Sequence, residues 1–245
     1  MKMLSFARRN RKEMLRDPLT FGFGIWFPLI LLLLLSLIQA NVPVPMFQID
    51  ALTPGVAAFG LSFVSLFSGM TIAKDRANAL MLRLLTSPMK ASDFILGYTL
   101  PLLPLMLAQM GVCYLAAIAL GLECSLRIPL ALVCQLPTAF LFIALGLLCG
   151  SVFTDKQVGG VCGALLTNLS AWLSGAWFDL AFLGKDLQRF AQCLPFCHGV
   201  DAGRCALGGE YGKILPEMLW VMGYAAALLL LAVILFTKKM RSDAC

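Results

Sequence analysis

The chain has 245 residues, 60% of them hydrophobic and only 13% charged, with a mean hydropathy of +0.87. Soluble domains carry about a quarter charged residues, so this composition excludes a water-soluble globular protein and indicates an integral membrane protein. The formal net charge of +6 collects at the ends of apolar runs, where it reports topology and carries no nucleic-acid implication.

Residues 1–16 come first. Leu4, Ala7, Met14 and Leu15 recur at helical spacing with basic residues between them. That pattern predicts an amphipathic helix along the membrane interface until Asp17 and Pro18 turn the chain inward. The cluster ARRNRK, residues 7–12, reads as a basic flank resting on anionic lipid. Six apolar runs follow: 19–40, 54–73, 94–120, 128–153, 157–178 and 214–236. Each reaches the roughly 20 residues a helix needs to cross about 30 Å of hydrocarbon. Their continuity excludes the alternating strands of a membrane barrel. The first is too long to be the apolar core of a secretory signal. The expected fold class is all-α, a single polytopic membrane domain over residues 1–245.

Loops kept in the cytoplasm are enriched in Lys and Arg. Residues 1–18, 74–93, 154–156 and 236–245 hold 14 of the 19 basic residues. Both termini and residues 74–90 are therefore expected in the cytoplasm, and Glu123 and residues 179–213 outside, in a multi-pass protein of the plasma membrane.

The second run carries a stripe of small residues, Ala58, Ser62, Ser65 and Gly69. Such stripes let helices pack closely. Gly159 and Gly163 repeat the theme in the fifth run. Pro101 and Pro104 in the third run, and Pro137 in the fourth, remove backbone hydrogen bonds and are expected to kink their helices. No Asp, Glu, Lys or Arg lies near the middle of a run, which argues against an ion-coupled carrier. Gln109, Gln135 and Asn168 are candidates to line a substrate path, although hydrogen bonding between helices is the commoner use of such side chains.

Of the nine cysteines, Cys113, Cys134, Cys149 and Cys162 lie within runs as small apolar fillers. Cys124, Cys193, Cys197 and Cys205 fall on the expected outer side, where disulfides persist in an oxidising compartment. Four cysteines allow three full pairings, and free thiols are the other reading. The spacing of these residues with His198, the one histidine, matches no standard zinc pattern, and no metal is expected.

The stretch KDRANALMLRLLTSPMK, residues 74–90, separates the second and third runs. Leu80, Met81, Leu84 and Leu85 make one apolar helical face, ended by Ser87 and Pro88. Such a helix either rests on lipid or fills a groove on a cytosolic partner. No catalytic pattern accompanies it, since neither H-E-x-x-H nor G-x-S-x-G is present. GGEYGK, residues 208–213, fails as a phosphate loop because Leu207 and Ile214 stand where Gly and Ser or Thr are required. The longest segment outside the runs has 35 residues, fewer than the roughly 50 of a small folded domain. The chain is not expected to be an enzyme.

DRANALMLRLLTSPMKASDFILG, residues 75–97, resembles the stretch after the second span in permease subunits of the type-2 ABC exporter family. Asp75, Arg76, Arg83, Leu84, Leu85, Ser87, Pro88 and Gly97 match, while Ala77, Leu80 and Leu82 replace the acid, Thr and Glu usual there. LPFCHGVDAGR, residues 194–204, is a weaker match to the family's segment before the last span. The resemblance implies six spans, an N-terminal elbow helix, and a cytoplasmic coupling helix at about residues 75–87. It implies that Asp75, Arg76, Leu80, Arg83, Leu84, Leu85 and Pro88 face a separate ATP-binding subunit. ATP and Mg would bind that subunit, with no cofactor on this chain. A second permease copy or a sister permease would complete the pore, surrounded by the lipid bilayer. The alternative is a non-transport membrane subunit for assembly or regulation.

Overall fold

The structure, a computed structural model, describes residues 2–42, 45–78 and 91–242, and among them contains helices and turns but no strand. α1 (Lys2–Arg16) leads through the short α2 (Pro18–Phe21) and a π-helical turn (Gly22–Trp26) into α3 (Phe27–Asn41). α4 (Ile49–Ala77) and α5 (Ala91–Ala119) follow, then α6 (Arg127–Cys134) and α7 (Leu136–Val152). α8 (Asp155–Val158), a π-helical stretch (Gly159–Leu166) and α9 (Thr167–Leu173) form one rod. α10 (Lys185–Cys193) and α11 (Pro195–Gly208) make a hairpin before the long α12 (Tyr211–Ser242).

Among the described residues, five helical segments are long and apolar enough to cross a membrane: Gly22–Asn41, Ile49–Ala77, Asp93–Ala119, Arg127–Val152 and Tyr211–Lys238. The chain is thus an all-α, multi-pass membrane protein. The expected fifth run, 157–178, is not among the five. Its rod opens on the charged Asp155 and Lys156, ends at Leu173, and gives way to a turn in which Gly175 takes a φ of 67°. That leaves it shorter and more polar than the others.

α4 is the centre of the bundle, with 83% of its most apolar window buried, against 17% for the first span and 22% for the last. Its small stripe explains this position. Ser62 and Ser65 donate to Phe59 O and Ser62 O on their own helix, each at 2.6 Å, so the hydroxyls are satisfied without a partner. α7 then approaches to backbone contact: a methyl added at Gly150 would lie 2.6 Å from Gly69 O, and one at Gly146 would lie 2.5 Å from Ser65 O. In the fifth run Gly163 meets Leu66, whereas Gly159 has open space beside it.

The prolines act unequally. α5 remains helical through Pro101 and Pro104, while the fourth span breaks at Gln135, with Pro137 in the first turn of its second half. The expected outer segment, 179–213, is also more than a loop. Its helix α11 inserts against α4, α6, α7 and α12, with Gly199 against Thr138 and Gly203 against Pro54 and Gln135.

The α4–α7 contact has no room for a side chain at Gly146. Gly146→Leu should cost about 1 to 3 kcal/mol in detergent-solubilised protein, the usual range for overpacking. Gly111→Ala, at a position with nothing within 4 Å, should stay within about 0.5 kcal/mol. Thermal midpoints of the two variants check this.

Candidate functional site

At the end of the bundle that carries most of the basic residues, α1 lies across α5. Phe6 meets the rings of Phe94 and Tyr98 edge-on, with centroids 5.9 Å and 5.0 Å away. Gly97 makes this possible, because a Cβ there would overlap the Phe6 ring. The buried Asn10 donates to Gly97 O at 3.1 Å. These contacts bring Arg9 over the last turn of α4, where Asp75 is only 1% exposed. Asp75 accepts from Arg9 Nη1 at 2.6 Å and from the Tyr98 hydroxyl at 3.0 Å. A carboxylate buried so deeply persists only when paired and hydrogen-bonded. Arg9 also pairs with Glu13 at 2.7 Å, one helical turn along.

Arg76 supports the same turn from the other side. It donates to Gly150 O at 2.7 Å and Phe153 O at 3.3 Å, at the end of α7, where carbonyls lack intrahelical donors. The last turn of α4 is therefore tied to α1, α5 and α7, directly before residues 79–90. Leu80, Arg83, Leu84, Leu85 and Pro88 lie outside the described residues. Asp75, expected to face a partner, has its charge met within this chain by Arg9 and Tyr98. Asp75 and Arg76 thus fix the end of α4, the one to α1 and α5 and the other to α7.

The three candidate path residues are not brought together. Gln109 is fully buried, its Nε2 donating to Ala57 O at 3.3 Å. Gln135, at the break of the fourth span, donates to Pro54 O at 2.8 Å and accepts from Tyr114 at 3.1 Å. Both serve hydrogen bonding between helices, on carbonyls of α4. Asn168 is exposed and donates to Ala164 O at 2.7 Å, beside the exposed Leu165 and Trp172.

Arg204 belongs with the α4 contacts, although the sequence reading assigned it no role. It donates to Ala51 O at 3.0 Å and Gly175 O at 2.9 Å, so Ala51, Pro54 and Ala57 each have a carbonyl held by a side chain from another helix. Its place in LPFCHGVDAGR was the available signal. His198 was also missed in this role. Its Nδ1 meets Glu217 of α12, its Nε2 meets Gln192 O at 2.7 Å, and Trp220 lies 5.4 Å away. Both ring nitrogens face acceptors, so both donate and the ring is an imidazolium. Burial works against the charge, but the contacts with Cys197, the Glu217 carboxylate and Gln192 O outweigh it and push its pKa up to about 10.

Cys124, Cys193, Cys197 and Cys205 are free thiols, and Cys197 is buried against Ala191 O at 3.3 Å. Among the described residues no group of three or more His, Cys, Asp or Glu could hold a metal.

Residues 45–234 match the family model described as ABC-2 family transporter protein. The comparison with curated proteins found no match.

Asp75→Asn removes the charge that holds Arg9. It should loosen α1, seen as faster amide exchange over residues 2–16, and lower stability by about 1 to 3 kcal/mol. Glu13→Gln, at the exposed end of the network, should cost less than about 1 kcal/mol. Equal exchange in both variants would contradict the assignment. The His198 link depends on pH. Its pKa is raised on folding, so its stabilisation is complete below the ordinary value of 6.5 and is lost as pH climbs to about 10. The thermal midpoint should fall more steeply between those values in wild type than in His198→Gln.

Proposed function

The chain belongs to the ABC-2 transporter family, and from that premise we propose that it is the membrane-spanning half of an ATP-driven exporter. It works with a separate ATP-binding subunit, which carries ATP and Mg, and with a second permease copy or a sister permease. Both termini and residues 74–90 lie in the cytoplasm, and the membrane is the plasma membrane. The observation that carries this reading beyond membership is the junction at Asp75. A short amphipathic segment, 79–90, leaves a helix end fixed to α1, α5 and α7, and that helix is the most buried span. A push on residues 79–90 by the ATP-binding subunit therefore enters the helix on which the bundle packs. The elbow helix and α7 move with it, which is how closure of a pair of ATPases would rock two such bundles between inward- and outward-facing states.

Leu84→Glu places a charge where the coupling surface must be apolar, at a cost of roughly 1 to 3 kcal/mol. It should weaken copurification of the ATP-binding subunit and abolish transport-linked ATP hydrolysis, while the permease still inserts. Phe182→Glu, at a residue 85% exposed near the opposite end, is the control and should leave both intact. Unchanged partner binding in Leu84→Glu would refute the coupling role, and equal loss in both variants would indicate misfolding instead.

A further inference from the structure

Where α1 and α2 turn into the first span, their apolar side lies over the outer face of α5 and leaves a groove of about 390 Å³. Met14, Leu15, Ile25, Pro104, Leu105 and Ala108 line it, together with Arg11. Arg11 also lines a second cavity, of about 840 Å³, on the polar side of α1 with Arg8, Lys12 and Arg16. Arg11 is thus the residue that the two spaces share.

Their chemistry differs sharply. The groove is apolar apart from Thr20, whose hydroxyl donates to Asp17 at 3.0 Å. In the outer cavity Glu13 is taken by Arg9, while Arg8, Arg11, Lys12 and Arg16 form no ion pair with a described residue. An interfacial amphipathic helix sits at the boundary of headgroups and acyl chains, so the groove faces the tails and the four cations face the phosphates.

We propose that this pair of spaces binds one anionic phospholipid, with an acyl chain in the groove beneath α1 and its phosphate on Arg11 among Arg8, Lys12 and Arg16. A ligand volume of a few hundred Å³ is that of ordinary small-molecule sites. A soluble anion would fill only the outer cavity, and an uncharged tail only the inner one. The lipid seats the elbow helix against α5 at Pro101 and Pro104, on the same helix whose Tyr98 donates to Asp75. The site stands independently of the transport reading.

Native mass spectrometry of the detergent-purified full chain tests it, with phosphatidylglycerol, phosphatidylcholine and glycerol phosphate as probes. Phosphatidylglycerol should be retained at one per chain. Arg11→Gln should weaken it roughly fivefold, as expected for one basic contact to an anionic headgroup. Ala108→Phe, at an exposed position facing the groove, should displace it with every charge intact. Phosphatidylglycerol should also raise the thermal midpoint of wild type, less so that of Arg11→Gln and not that of Ala108→Phe, while the lipid-free midpoints of the variants report misfolding. Equal retention of phosphatidylcholine, full competition by glycerol phosphate, or wild-type retention in Ala108→Phe would each overturn the proposal.

Discussion

The carboxylate of Asp75 constrains the basic end of this molecule. A charge that is 1% exposed at the end of the most buried span must find donors inside the protein, and it takes them from Arg9 on α1 and Tyr98 on α5. Those partners determine where the interfacial helix sits. Phe6 and Asn10 then have no place to go except the Gly97 face of α5. Arg76 completes the junction by meeting the open carbonyls at the end of α7. The order of an acid followed by arginine is thus a division of labour between two sides of one helix end.

The other half of α4 is held by the same physics with neutral groups. Pro54 interrupts its ladder, and side chains reach in from other elements to carbonyls nearby: Arg204 to Ala51, Gln135 to Pro54, Gln109 to Ala57. In hydrocarbon such polar groups cannot be left to water, so each becomes an attachment between helices. The α10–α11 hairpin is one result. Its glycines allow contact with Thr138 and Pro54, and His198 and Arg204 anchor it on α12 and α4.

Much of this was legible in advance for local reasons. Continuous apolar runs and the small stripe Ala58, Ser62, Ser65, Gly69 depend on composition and helical spacing alone, and the structure carries five of the six runs as long apolar helices and packs the stripe against α7. The basic segments also gather at one end, where Arg9 reaches Asp75 and Phe236 packs on Phe94. What spacing could not supply was direction. Asp75 reads as a displayed motif residue until Arg9, 66 positions earlier, is seen to cover it. Gln109 and Gln135 read more readily as packing than as path, and the positions of Ala57 and Pro54 decide what they touch. Residues 179–213 look like an external segment because α10 is polar in composition and α11 carries His198, Asp201 and Arg204, while the burial of α11 depends on glycine contacts made across the fold. The fifth run was read as a span because its apolar length was counted through Gly175, where a left-handed turn ends the rod.

The most direct measurement is site-specific photocrosslinking in membranes that contain the ATP-binding subunit. A photoreactive residue at Ser87 should capture that subunit, and more strongly in one nucleotide state than another, while the same residue at Phe182 should capture none. Failure to crosslink from any position in residues 79–90, with crosslinks from the Phe182 end, would contradict the entry of force through the Asp75 junction.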